Sequence, residues 1–363
     1  MNRSLEVFLA FLRLGVTGFG GPLALVAQMQ RDFVEKAQWI PVEEFQKAFT
    51  LIKSMPGAVA FNTAVYLGRR RAGYLGGILA GTALIAPAFV LILIFALNYS
   101  LLRSLPQLEK VLLGMQASAL ALIFAALKPL TGPFFKKKSF WVLCAIGAAV
   151  FATKFVPEPI LILGGGICWL IFKKYQSRTS TLAVVAGSTL VGLLSQLFLI
   201  CFKAGAFVFG TGIAIAPMLE RDFVQKMGWV THSEFMDALA IGQITPGPVM
   251  LTTTFLGHKV AGIPGAFVAT ASVFLAGFIH MMTWFPAAVN KLSQQKWIND
   301  FLFGALAMVV GTIVVTLVVL GSDWTTQPIL YVMVAIGLFM SWKIKAPSWA
   351  IIIAGALFGI VLL

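Results

Sequence analysis

A sequence block that interrupts an apolar segment occurs twice in this chain, and it constrains the fold more than any other feature. Phe19-Gly20-Gly21-Pro22 returns as Phe209-Gly210-Thr211-Gly212, 190 residues later (209 minus 19). The residues that follow return in the same register: Arg31-Asp32-Phe33-Val34 as Arg221-Asp222-Phe223-Val224, and Trp39, Glu44, Phe45, Pro56 and Gly57 as Trp229, Glu234, Phe235, Pro246 and Gly247. Beyond the Pro-Gly pairs the offset is 189 (257 minus 68), which matches Gly68 with Gly257. The chain is therefore an internal duplication, with repeats predicted at 1–178 and 179–363.

The composition predicts an integral membrane protein. Of 363 residues, 59% are hydrophobic and only 11% are charged, which is too little polar side chain to cover a soluble domain of this length. The net charge of +14 comes from short basic clusters between apolar runs, so it indicates membrane topology and lipid contact and not nucleic-acid binding. Cys144, Cys168 and Cys201 stand alone in apolar segments and are predicted to be buried free thiols, without the spacing of a metal site.

Each repeat should begin with two broken apolar segments. The first, 5–30, is interrupted at 18–22 and should form two half-helices; the second, 45–67, is broken at Pro56-Gly57, where proline removes a backbone donor. Further apolar spans lie near 75–97, 111–127, 140–151 and 160–172, and the second copy repeats this order from about 182 to 363. Several spans are shorter than the roughly 20 residues that cross a bilayer, which implies tilt or local thinning.

The basic loops predict how the two repeats are oriented. In the first repeat they are Arg69 to Arg71, Lys128 with Lys136 to Lys138, and Lys173-Lys174 with Arg178. These clusters fall on every second loop, so they all lie on one side of the membrane, which is the cytoplasm under the positive-inside rule. In the second repeat the basic loops are Lys291 with Lys296 and Lys343 with Lys345, at positions that do not correspond. Inverted topology explains the difference, whereas a parallel duplication would place the second set outside. Inversion also requires at least one of the first two segments to be re-entrant.

The breaks predict an anion site near the membrane midplane. Irregular backbone persists inside a bilayer only where protein or a water-filled cavity receives its polar groups. Pro22 and Pro248 suit the first position of a half-helix, whose free N–H groups and positive dipole end attract an anion. The alternative is that these glycines and prolines are only packing kinks. The residues assigned to the site from the breaks are Gly20, Gly21, Pro22, Pro56, Gly57, Gly210, Gly212, Pro246, Gly247 and Pro248.

Basic side chains beside the breaks would supply charge to this site. Arg13 and Lys203 are equivalent under the 190-residue offset, and cations inside spans usually mark an ion path. The planar fork of arginine and the point charge of lysine could share one dianion, although snorkelling to the interface would also explain both residues. Lys53 is a third cation, and Gln243 stands at its equivalent position.

Four uncharged or acidic residues complete the predicted site. Asn62 and Thr252 could hydrogen-bond an oxyanion, but polar residues also serve routinely in helix packing. Glu44 and Glu234 are weaker candidates for proton coupling, since a carboxylate at a helix start is more often structural.

The ordered motifs resemble the chromate ion transporter family. F-G-G-P (Phe19 to Pro22) and F-G-T-G (Phe209 to Gly212), followed by P-G-A (Pro56 to Ala58) and P-G-P (Pro246 to Pro248), are similar to that family over nearly the whole chain. The resemblance implies a long, two-domain transporter of the bacterial inner membrane that moves chromate out of the cytoplasm, uses the proton motive force and has sulfate as its competitor. Where members often carry a histidine after the first motif, this chain has Leu25.

We therefore predict an all-α polytopic membrane protein with two homologous inverted-topology repeats, whose broken or re-entrant helices meet near the midplane. The predicted function is secondary transport of an oxyanion, chromate first, by alternating access. A sulfate or other oxyanion carrier and an anion channel are the alternatives. We expect no cofactor, since no nucleotide-binding motif is present, and no enzymatic activity. Membrane lipid is an expected partner, and assembly as a homodimer is left open.

Overall fold

The protein is helical throughout the part of the chain that the structure describes, which comprises residues 2–18, 22–174, 190–209, 212–292, 295–322, 324 and 327–362 of this computed structural model. The helices of the first half are α1 Arg3–Thr17, α2 Pro22–Met29, α3 Val42–Ser54, α4 Val59–Arg103, α5 Pro106–Thr131, α6 Lys138–Ala152 and α7 Glu158–Lys174. Those of the second half are α8 Leu190–Phe207, α9 Ala216–Leu219, α10 His232–Ile244, α11 Thr252–Met282, α12 Phe285–Leu292, α13 Lys296–Ser322, α14 Ile329–Phe339 and α15 Ser348–Leu362.

The same irregularities recur at matched positions in both halves. A π-helical turn follows α2 at Gln30–Lys36 and α9 at Glu220–Lys226. α4 bends sharply at Ala72-Gly73 and α11 at Ala261-Gly262, where the two glycines have φ of 66° and 60°. The duplication seen in the sequence is therefore a duplication of structure.

The two broken segments of the first half fold as helical hairpins. Trp39, after the π turn, donates a hydrogen bond to Glu6 near the start of α1 (3.1 Å), so the chain has returned to its starting level after the break at 18–22. Glu44, at the start of α3, accepts a hydrogen bond from Tyr66 (2.8 Å) and pairs with Arg70 (2.6 Å). The second break, at 55–58, is therefore also the tip of a hairpin.

The second half repeats both hairpins. Lys203 on α8 forms an ion pair with Asp222 in the π turn, and Glu234 at the start of α10 pairs with Lys259 on α11 (2.8 Å). The tip of the first hairpin follows the end of α8 at Phe207, and that of the second lies at 245–248.

The long arms of α4 and α11 run antiparallel between opposite ends of the molecule. Past Gly73, α4 turns back on itself, since a Cβ on Gly76 would overlap the carbonyl oxygen of Gly68. The arm 73–103 then extends about 45 Å, at 1.5 Å per residue. Its last residue, Arg103, donates a hydrogen bond to Ser233 (2.7 Å), while Arg69 at its starting end donates one to the carbonyl of Met281 (3.0 Å).

We call the end that carries Glu6, Glu44, Arg69, Arg70 and Met281 the first end, and the end that carries Arg103, Ser233, Glu234 and Lys259 the second end. The hairpins of the first half have their bases at the first end, and the α10–α11 hairpin of the second half has its base at the second end. Tips from the two halves therefore point toward each other.

The remaining helices of each half pack against helices of the other half. α5 packs against α14 and α15, and α13 packs against α6 and α7. Glycines permit this close packing: a Cβ on Gly114 of α5 would overlap the carbonyl oxygen of Gly355, and one on Gly304 would overlap that of Gly165. Each half therefore completes the helix packing of the other, while the predicted boundary at 178 lies outside the described residues.

Several helices are suited to a bilayer. Among the described residues, four are long and apolar enough to cross a membrane, namely those at Val59–Leu101, Gln107–Phe134, Val249–Met282 and Trp297–Ser322. Their outer faces expose large apolar side chains such as Leu91, Ile94 and Phe95, as expected of a surface that faces lipid. The prediction of three buried thiols is correct for Cys144 and Cys201 but wrong for Cys168, which lies on the outer face of a short apolar helix.

Candidate functional site

The four hairpin tips meet crosswise between the halves. Gly247 N–H donates a hydrogen bond to the carbonyl of Gly18 (3.3 Å), and Gly57 N–H donates one to the carbonyl of Val208 (2.8 Å). Each bond joins the first hairpin of one half to the second hairpin of the other. Gly57 and Gly247 have φ of 115° and 107°, a region that favours glycine, so both Pro-Gly pairs are needed for the turn that aims these N–H groups.

A cavity of about 620 Å³ opens beside the Gly18–Gly247 junction; we call it the basic cavity. The tips contribute Gly18, Pro22, Gln243, Thr245 and Gly247 to its wall. α5 contributes Lys128, the segment before α15 contributes Trp342 and Lys345, and α15 contributes its first residue, Ser348. None of the described residues that line it is acidic. Pro22 and Val249 begin helical segments at its wall, so the lysines and the helix N-termini give the cavity a positive potential.

Gln243 is the most informative side chain of the basic cavity. It is only 3% exposed, and its amide nitrogen Nε2 has no hydrogen-bond partner among the described residues. A buried amide without a partner costs free energy, so this N–H group needs an acceptor that enters the cavity. Water or the oxygen of an anion meets that need.

Lys128 and Lys345 line the basic cavity and are both exposed. Lys128 Nζ lies 5.7 Å from the ring centre of Trp342, a cation–π contact. Lys345 ends a π-helical turn in the left-handed conformation, with φ 57° and ψ 35°, where glycine is usual because a side chain costs about 1 kcal/mol.

A second cavity, of about 670 Å³, adjoins the first and shares Pro22 and Pro129 with it. It contains Lys53 from the tip of α3 and Phe209 from the first hairpin of the second half. Lys53 Nζ lies 5.2 Å from the ring centre of Phe49, and the described wall again lacks an acid. The two cavities together hold three lysines.

The structure brings together only part of the site set out from the sequence. Pro22, Gln243 and Gly247 line the basic cavity and Lys53 lines the second. Pro56 lines a smaller apolar cavity of about 270 Å³. The N–H group of Gly57 is already used in the hydrogen bond to the Val208 carbonyl. Gly212 has a φ of 76°, and Pro246 and Pro248 are buried. Gly20, Gly21 and Gly210 lie outside the described residues.

Arg13 and Lys203, matched in sequence, occupy different environments. Arg13 is exposed on the face of α1 that points away from the core, and neither cavity includes it. Lys203 pairs with the buried Asp222, while Arg221 reaches Glu158 (3.5 Å). Neither Arg13 nor Lys203 stands beside a cavity as an unpaired cation, and their role in binding stays a prediction.

Asn62 and Thr252 are both fully buried behind the tips. Thr252 donates a hydrogen bond to the carbonyl of Val249 (2.8 Å) within its own helix. Asn62 has no partner for either amide atom among the described residues and lies close to Gly57 and Gly277. It does not line either of the two larger cavities.

Glu44 and Glu234 close the hairpin bases. Glu44 is held by Tyr66 and Arg70, and Glu234 both pairs with Lys259 and caps α10 with Thr231. Burial acts to raise the pKa of Glu234, but hydrogen bonds from Lys259 and Thr231 outweigh it and hold this pKa below its ordinary value. These contacts favour the structural interpretation of both carboxylates.

Lys128 and Lys345 were missed as site residues. In the sequence they stand in basic clusters of the kind that sets topology, at positions that do not correspond under the repeat. One signal pointed to Lys128: the pair Lys128-Pro129 directly follows the predicted span 111–127, so this lysine could belong to the helix and not to the loop. Lys345 has no such signal.

Duplicated, broken helical hairpins and helices long enough to cross a bilayer define a polytopic membrane protein, with a basic cavity where its two halves meet. The chain belongs to the chromate transporter family: the family model for "Chromate transporter" matches residues 5–170 and 195–360, one match in each half. It is therefore a multi-pass protein of a transporter family.

Named relatives agree with this assignment. The chain is 35% identical to a probable chromate transport protein of Synechococcus elongatus, over 97% of this chain and 93% of the relative. It is also 35% identical to a chromate transport protein of Cupriavidus metallidurans, over 97% and 91%, and 28% identical to one of Pseudomonas aeruginosa, over 98% and 91%. No solved structure matches the chain.

Proposed function

We propose that this protein is a secondary transporter that moves chromate out of the cytoplasm of a bacterium by alternating access, driven by the proton motive force. The observation that carries the proposal is the basic cavity, whose wall combines Gln243, a buried amide donor without a partner among the described residues, with two lysines and no described acid. Such a site attracts an oxyanion and supplies hydrogen-bond donors for its oxygens. The relatives named as chromate transport proteins make chromate the first substrate to test.

The membrane arrangement is part of the same proposal. The two halves are inverted repeats, and their hairpins are re-entrant, entering the membrane from opposite faces with their tips at the midplane. The antiparallel long arms and the hairpin bases at opposite ends support this arrangement. Lys128 and Lys345, one from each half, also line the same cavity, as the inverted arrangement requires. The first end, which carries Arg69 to Arg71, faces the cytoplasm of the inner membrane.

Transport follows from the exchange of contacts between the tips. With the basic cavity open, the oxyanion enters past Lys128 and Lys345 and reaches Gln243 and the helix N-termini at the tips. Rocking of one half against the other would then close this cavity and open a path to the second end. The inter-half bonds at Gly18–Gly247 and Gly57–Val208 lie where such rocking would pivot.

The test is uptake of radiolabelled chromate into inverted membrane vesicles that contain the full chain, with and without a proton gradient. We expect energised uptake that sulfate inhibits. Lys128→Gln and Lys345→Gln should weaken uptake, and Arg13→Gln and Lys203→Gln test the cations that the sequence singled out. Lys47→Gln is the matched control, because Lys47 is also a lysine of the first half but pairs with Glu43 (2.6 Å) and lines neither cavity.

Three results would count against the proposal. Folded protein that moves neither chromate nor sulfate would refute oxyanion transport. Sulfate movement without chromate movement would favour the sulfate carrier. Flux that ignores the proton gradient and does not saturate would favour an anion channel.

A further inference from the structure

A buried carboxylate joins the two halves at the second end. Asp237 on α10 is 1% exposed and accepts hydrogen bonds from Tyr99 (2.5 Å) and from Gln116 (2.8 Å). Arg103 lies 3.9 Å from the same carboxylate and donates to Tyr99 (2.8 Å) and to Ser233 (2.7 Å). The three partners of Asp237 all come from the first half, so any separation of the halves at this end must break every one of these contacts.

The position of Asp237 relates this cluster to the basic cavity. Asp237 and Gln243 lie on the same helix, six residues or about 9 Å apart. Gln116 lies on α5, the helix that carries Lys128 at the cavity twelve residues further on. The Asp237 cluster therefore lies between the basic cavity and the second end.

Within the part of the chain that the structure describes, the cluster has no counterpart at the first end. The residue equivalent to Asp237 is Lys47 (237 minus 190), which pairs at the surface with Glu43 on its own helix. A contact that served only to hold each hairpin would be expected in both repeats, as Glu44–Arg70 and Glu234–Lys259 are. The Asp237 cluster is specific to one of the two closures.

The charges around Asp237 make the closure depend on its proton. The charged or titratable groups that face it are Tyr99 and Arg103 from α4, Lys259 from α11, which lies 5.2 Å from the Tyr99 ring centre, and Glu234 from its own helix. With Asp237 ionised, two cations balance two carboxylates. Protonation removes one negative charge and weakens the hydrogen bonds from Tyr99 and Gln116. Arg103 and Lys259 then both lie against the Tyr99 ring, with only the Glu234 carboxylate to balance their charge.

We infer that Asp237 is a proton-binding site that acts as the latch of the second end: ionised, it holds this end closed, and protonated, it releases the end to open. This inference rests on the proposed alternating-access function, and it gives the proton a defined atom, a carboxylate oxygen of Asp237, at which to act. It replaces Glu44 and Glu234 as the leading carboxylate for coupling.

The latch is tested by cysteine accessibility in the full-length protein, with no oxyanion present. Cys144, Cys168 and Cys201 are replaced by alanine, and Ala240→Cys is introduced as a buried probe one turn from Asp237, on the same face of α10. Labelling by a membrane-impermeant thiol reagent is measured from each side of the membrane across pH 5 to 8. Lys226→Cys, at an exposed position in the π turn of the second half, supplies the reference rate that removes the effect of pH on the thiol itself.

We expect normalised labelling from the side of the second end to increase as the pH on that side falls. Asp237→Asn, which mimics the protonated acid, should label roughly tenfold faster at pH 8, the effect of losing one charge-assisted hydrogen bond, and should lose the pH dependence. Glu158→Gln changes another buried carboxylate that lies outside the cluster and should behave as the parent does. Labelling of Asp237→Asn that equals the parent at every pH, or that keeps the pH dependence, would overturn the inference.

A second variant covers the case in which Asp237→Asn does not fold. Tyr99→Phe removes one hydrogen bond to the carboxylate and keeps the ring against Phe255, so the labelling midpoint should move to higher pH; an unchanged midpoint would refute the latch. The readout also separates this inference from the proposed function. Chromate transport with pH-independent labelling would refute the latch alone, and pH-dependent labelling without oxyanion transport would refute the proposed function alone.

Discussion

Replacing Gln243 by methionine should stabilise the substrate-free protein, or leave its stability unchanged, while weakening its hold on an oxyanion. Methionine has nearly the shape of glutamine but no amide. Gln243 is 3% exposed and its Nε2 has no hydrogen-bond partner among the described residues. The native side chain therefore bears a desolvation cost of about 1–3 kcal/mol whenever no acceptor is present for its N–H group. Removal of the amide relieves that cost, and we expect the free energy of unfolding to stay constant or to rise by up to about 2 kcal/mol.

Binding should change in the opposite direction. A hydrogen bond to a charged acceptor contributes about 1.5–3 kcal/mol, which corresponds to a loss of roughly 10- to 150-fold in affinity for chromate. Both quantities can be measured on purified protein in detergent, the stability by thermal unfolding and the affinity by the shift of that unfolding with chromate concentration. The KM for uptake into vesicles should rise by a similar factor.

Gln116→Met is the matched control, since it makes the same change at another buried glutamine. Gln116 donates to Asp237 at 2.8 Å, so its loss should destabilise the protein by about 1–3 kcal/mol and change chromate affinity little. If Gln243→Met destabilised the protein as much as Gln116→Met does, the Gln243 amide would have a structural partner. If it left chromate affinity unchanged, the amide would not face the anion.

Three further substitutions test other parts of the site. Lys345→Gly should raise stability by about 1 kcal/mol, because the backbone there has φ 57°, and should still weaken chromate uptake in a KM measurement. Gly57→Ala should cost more than Gly247→Ala in thermal unfolding: both lie at strained φ, worth about 1–3 kcal/mol, but only at Gly57 would the new Cβ come within 2.8 Å of a side-chain nitrogen. Lys203→Met should destabilise by up to about 3 kcal/mol, because it leaves a buried carboxylate unpaired, whereas Arg13→Gln should leave the unfolding temperature nearly unchanged.

The duplication and the four breaks could be predicted from the sequence because glycine and proline act on the backbone locally. Gly57 and Gly247 adopt φ values that few other residues tolerate, so their recurrence at a fixed offset already indicates a repeated turn. The crosswise pairing of the tips could not be predicted in the same way. It depends on hydrogen bonds between residues far apart in the chain, such as Gly247 with Gly18, for which no local pattern exists.

The charges of the site were harder to predict than its backbone. Arg13 and Lys203 match in sequence, yet only Lys203 has an acid beside it, since the helix faces that the two residues occupy differ in their neighbours. Lys128 reaches the cavity because α5 packs against helices of the other half. That exchange of helices is a property of tertiary packing, and a pattern of basic loops carries no information about it.

In the proposed inverted-repeat transporter, the residues that differ between the repeats set which end of the molecule is closed at rest. If the two halves were identical, exchanging them would convert the inward-open state into the outward-open state, and the two would have equal energy. Any bias therefore comes from unmatched positions such as Lys53 against Gln243 and Lys47 against Asp237. Each charge-assisted bond that holds Asp237 contributes about 1.5–3 kcal/mol, and 1.4 kcal/mol changes an equilibrium tenfold. One ionised carboxylate is thus enough to keep the second end closed in most molecules, and one proton is enough to release it.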